Sequence, residues 1–90
     1  MAFSPEFESN RIRQFAGIVR HGTSALVWSE WTQRIRDALS KIGDTMVRAD
    51  AQERFARIIS YGSILSEDPN GSRDFVAAEL ERFADFFGAI

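Results

Sequence analysis

The chain has no cysteine, one histidine, one lysine and two prolines among its 90 residues. Without cysteine there is no disulfide framework, no thiolate nucleophile and no Cys-based metal site. That sets aside a secreted miniprotein held by staples and makes the cytoplasm the expected location. His21 is the only imidazole, so a metal site would rest on carboxylates alone, and no nucleophile stands beside His21 at a useful spacing. Glycine-rich phosphate loops, a G-x-S-x-G elbow and an H-E-x-x-H helix are all missing. Neither an enzyme nor a bound cofactor or metal is expected from such a chain. No apolar run approaches the length of a membrane span, and the first residues lack a basic region followed by an apolar one, so neither anchorage nor export is expected.

What is present argues for folding. Hydrophobic residues make up 44% of the chain and eleven side chains are aromatic, a composition that fits one domain with a single modest core. Residues 1–9 read as an N-terminal arm and 10–90 as one helical domain. The net charge is only −2, but it is unevenly placed: residues 9–60 carry +4, residues 61–90 carry −4, and Glu6 and Glu8 supply the remainder. This polarity predicts an acidic last helix lying against basic ones rather than a nucleic-acid patch, because the basic part has no dense Lys/Arg cluster interleaved with exposed aromatics.

The periodicity predicts an all-α bundle of about four helices, at roughly 10–21, 24–42, 50–61 and 73–87. Ile12, Phe15, Ala16 and Val19 share one face of the first, with Ser9 or Asn10 as its cap and Gly22 as its stop. Trp28, Trp31, Ile35, Ala38, Leu39 and Ile42 form the stripe of the second, which Thr23 or Ser24 caps. Leu26 projects almost opposite Trp28, apolar and expected to be exposed. Asp50 and Glu53 form a capping box for the third, followed by Phe55, Ile58 and Ile59 and ended by Gly62, with Thr45 to Arg48 either an early turn of it or a short extended piece. Glu67-Asp68-Pro69-Asn70-Gly71 is a turn signal, after which Ser72 caps the last helix.

That last helix has more apolar surface than a small monomer readily buries. At 100° per residue Val76, Leu80, Phe83 and Phe87 form one stripe, Phe75 and Phe86 stand about 90° to one side, and Ala77 and Ala84 lie on the other. If the first stripe fills the core, Phe75, Glu79, Arg82 and Phe86 make a second strip, one that water wets unless a partner covers it. A two-fold axis through this strip lets Arg82 of one chain meet Glu79 of another.

Two segments resemble known motifs. In Asp68-Pro69-Asn70-Gly71-Ser72-Arg73-Asp74-Phe75, with Glu79 twelfth, oxygen ligands fall as in a calcium-binding EF-hand loop, but Arg73 takes the place of the invariant glycine, and no calcium is expected. The stretch Gln14 to Gln33 is similar to the helix-turn-helix of DNA-binding regulators, with Gly22 at the turn and Ser24 opening the second helix. Ile18 stands where that family has a small residue, and Thr23 replaces a buried apolar one. The resemblance implies a recognition helix presenting Ala25, Leu26, Glu30 and Gln33.

The sequence therefore points to a small non-catalytic regulatory or adaptor protein that acts by helix-face recognition. The expected partner is another protein or a second copy of the chain, with homodimerisation expected and Phe75, Glu79, Arg82, Phe86 and Leu26 as the binding residues. The alternative is a transcriptional regulator that binds DNA through residues 14–33; no membrane partner is expected.

Overall fold

Ser4, Pro5 and the acidic pair Glu6 and Glu8 are the ingredients of a helix start: a hydroxyl cap, a ring that presets φ, and negative charge near the positive end of the helix dipole. The first helix, α1, accordingly begins at Pro5 and runs to His21. Residues 5–9, expected as an arm, are its first turns. Ser9 lies inside the helix with its side chain buried, so neither it nor Asn10 is the cap. Gly22 closes α1 at φ 109°, a conformation that side-chain-bearing residues rarely adopt.

The remaining helices are α2 (Ala25–Leu39), α3 (Thr45–Ser60), α4 (Gly62–Glu67) and α5 (Arg73–Gly88). This computed structural model describes residues 4–67 and 71–88, and among them there is no strand. The fold is an all-α bundle, as the periodicity predicts. Three boundaries differ from the pattern. Ser24 caps α2 by accepting from the Val27 amide, but α2 ends at Leu39, three residues early, and Ile42 reaches the core from the turn that follows. The third helix starts at Thr45, where Asp44 accepts from the amides of both Met46 and Val47. Asp50 is therefore not a cap; it lies within α3 and accepts from Arg54 one turn on. The third helix does stop just before Gly62, at Ser60 with Tyr61 as its C-cap, but Gly62 then opens the short α4, which the pattern left unassigned. The EF-hand-like reading falls partly on residues 68–70, outside the described residues.

Most of the core is made by α1 and α5, which run antiparallel: Ser9 reaches Ala84, and Arg20 reaches Asp74 and Glu81. Ala16, Ala77 and Ala84 are fully buried, and small side chains there let the two backbones approach closely. In that seam the Ser9 hydroxyl donates to the Ala84 carbonyl at 2.8 Å. The apolar stripe of α5, Val76, Leu80, Phe83 and Phe87, is at most 3% exposed. It meets Phe15 and Val19 of α1, Ile35 and Leu39 of α2, and Phe55 and Ile58 of α3 in one cluster. Each fully buried Leu, Ile or Phe contributes roughly 1.5–3 kcal/mol by leaving water. Phe15 is flanked by the indoles of Trp28 at 5.3 Å and Trp31 at 5.6 Å. Both indoles are half-buried, so they wall the core rather than fill it. Glu8 is buried beside Arg11, 3.6 Å away, and its Oε2 accepts no hydrogen bond from the described residues.

Candidate protein-interaction face

With one stripe of α5 consumed by the core and the alanines by α1, the strip bearing Phe75, Glu79, Arg82 and Phe86 is left beside α3. Phe75, at the N-terminal end of the strip, is 49% exposed. Its ring is met edge-on by Tyr61, the residue that ends α3, with centroids 5.1 Å apart. At the other end Phe86 is half-buried. It lies parallel to Phe83 at 6.2 Å, and the Arg54 guanidinium sits over its ring at 4.6 Å. Between the two rings Glu79 and Arg82 form an ion pair within the helix, one turn apart.

The strip is thus one wall of a cleft whose other wall is α3. Arg54, Arg57 and Ile58 on α3 and its C-cap Tyr61 face Glu79, Arg82, Phe83 and Phe86 on α5 across a cavity of ≈ 220 Å³. Reading α5 alone missed the α3 wall, although Arg54, Arg57 and Tyr61 recur at i, i+3, i+7 and so share one side of a helix. Each rim arginine is oriented by a carboxylate of its own helix: Arg54 by Asp50 at 3.2 Å, Arg57 by Glu53 at 2.8 Å and Arg82 by Glu79. The lining itself holds three guanidiniums and one carboxylate, that of Glu79, beside the rings of Tyr61, Phe83 and Phe86, and Asp50 and Glu53 pair with two of the arginines from outside it.

Leu26 is 69% exposed on α2, as its phase requires, but it does not line the α3–α5 cavity. The structure does not bring it to the strip. Met46, 84% exposed after the Asp44 cap, is an exposed residue that the pattern left unassigned. Single exposed apolar side chains of this kind are ordinary on a folded surface.

The predicted charge polarity is realised between α1 and α5. Arg13 binds Asp85 at 2.7 Å, and Arg20 spans Asp74 and Glu81. The hydrogen bond from Arg20 to Glu81, helped by Asp74, holds this guanidinium above its ordinary pKa. Acids of α5 therefore neutralise Arg13 and Arg20 of α1. The α1–α2 pair is joined by Gly22, Thr23 and Ser24, and Ala25, Leu26, Glu30 and Gln33 are all exposed on α2. His21 is exposed at the end of α1. Among the described residues no group of three or more His, Asp or Glu side chains could hold a metal ion, and no helix is long and apolar enough to cross a membrane. Compared with known proteins, the chain matches no family model, no curated protein and no solved structure.

Proposed function

We propose that the chain is a non-catalytic regulatory or adaptor module that works by offering the α3–α5 face to another protein, or to a second copy of itself. The observation that carries this reading is Phe75: a large ring left half in water against Tyr61, at the end of a cleft lined by three arginines, Glu79 and the rings of Tyr61, Phe83 and Phe86. Aromatic anchors supply contact area at low rotamer cost, and paired charges around them fix orientation. Because Tyr61 and Arg54 already cover part of the two rings, less apolar area remains than two free rings would give. Self-association in the micromolar range is expected rather than a permanent complex. A cytoplasmic location fits a chain without cysteine. Sedimentation velocity across 1–100 µM (roughly the range in which such contacts report) tests the reading: concentration-dependent association that Phe75→Asp abolishes, with helicity retained, supports it. Association that Phe75→Asp leaves untouched places the contact elsewhere.

A DNA-binding regulator is the second reading. It draws on the three-residue connection between α1 and α2 and on the positive φ of Gly22 at its turn, the geometry a helix-turn-helix hairpin uses. Arg34 and Arg36 add positive charge to the exposed side of α2, while Glu30 and Asp37 oppose it. Retention on heparin or duplex DNA that falls steeply with salt favours this reading; indifference at low salt favours the protein-recognition module.

A further inference from the structure

We infer that the occupant of the α3–α5 face is a second copy of the chain, seated antiparallel with α5 against α5 in the register where facing positions sum to 161. This inference rests on the protein-recognition reading of the same face and assigns its partner. Phe75, Glu79, Arg82 and Phe86 are spaced 4, 3 and 4, the alternation that keeps one seam of a helix turned towards a neighbouring helix. Along the seam the order is aromatic, acid, base, aromatic. That order is its own complement only when the second helix runs the other way: 75 then faces 86 and 79 faces 82, each twice, about one two-fold axis. A parallel pair would set Glu79 on Glu79 and Arg82 on Arg82.

The surroundings agree with this register. Ala78, half-buried and small, lies one turn from Arg82 on the same side of α5 and lets the two helices approach. Facing Phe86, the Phe75 ring of the second copy meets the open side of the cavity formed with Arg54, Arg82 and Phe83. At ≈ 220 Å³ that space exceeds the roughly 150 Å³ that suffices for benzene. Tyr61 and Phe75 of one copy then continue into Phe86 and Arg54 of the other.

The test is a charge exchange between two variants of the full chain, Glu79→Arg and Arg82→Glu. Alone, each puts like charges at both facing contacts of its homodimer. Mixed one to one, they present opposite charges at both. Sedimentation and fluorescence anisotropy of a labelled chain should show each variant associating at least about tenfold more weakly than the wild type, with the mixture recovering to within about threefold. Circular dichroism checks that both remain folded, since each breaks only the pair within α5 between the exposed Arg82 and the partly buried Glu79. Two single variants as dimeric as the wild type, or a mixture that fails to recover, overturn the register, and Phe75→Asp still reports separately on whether this face is the contact. A wild type that stays monomeric to about 100 µM overturns the second copy as occupant, because contacts that matter at cellular concentration are tighter than this.

Discussion

The indole of Trp28 lies against the backbone of Gly62 so closely that a Cβ at position 62 would stand 2.7 Å from its Nε1. Trp28 is itself held against Phe15, so it has little room to retreat. The first turn of α4 therefore depends on an absent side chain.

Gly62→Ala is accordingly expected to destabilise the fold by about 1–3 kcal/mol, the usual cost of overpacking, and to lower Tm by several degrees. Gly17 provides the contrast. It lies inside α1, where a Cβ would meet nothing within 4 Å, so Gly17→Ala should stabilise by up to about 1 kcal/mol through helix propensity alone. Urea unfolding of the two variants beside the wild type checks both signs, and equal midpoints would refute the contrast.

The start of α3 offers a second test. Asp44→Ala removes the acceptor of two backbone amides and should cost about 1 kcal/mol. Asp50→Ala removes only an exposed pair with Arg54 and should fall within about 0.5 kcal/mol of the wild type. If the order were reversed in thermal melts, the helix would begin at Asp50, as the local capping pattern reads.

At the α1–α5 seam, Ser9→Ala deletes a buried hydroxyl and frees the Ala84 carbonyl that it satisfies, for a loss of about 1 kcal/mol. Ser9→Leu forces a branched side chain into this buried contact between the two helices. It should cost considerably more, about 1–3 kcal/mol or beyond. Stability that falls from Ser to Ala to Leu supports a tight seam; a Leu variant as stable as the Ala variant would mean that the seam has slack.

Much of the bundle was legible residue by residue. The stripe Val76, Leu80, Phe83, Phe87 and the Ser24 cap are local facts: 3.6-residue periodicity and a hydroxyl before an apolar run specify them without reference to the rest of the chain. The surplus strip of α5 was legible in the same way, because angles around a helix follow from sequence spacing. Local pattern alone could not choose between Asp44 and Asp50 as the start of α3, since both are good caps. Starting at Thr45 adds the turn that packs Val47 against the core, and that gain is tertiary.

The sequence by itself determined the helical class, the face of each long helix that turns inward, and the presence of a second aromatic strip beside the inward face of α5. Only the tertiary structure decided what stands beside that strip. Arg54 covers Phe86, Tyr61 meets Phe75, and Ser9 finds Ala84 across 75 positions of sequence. Those neighbours are set by which helices share a core and in what direction they run. Periodicity fixes angles around a single axis and carries no information about the distance between two axes.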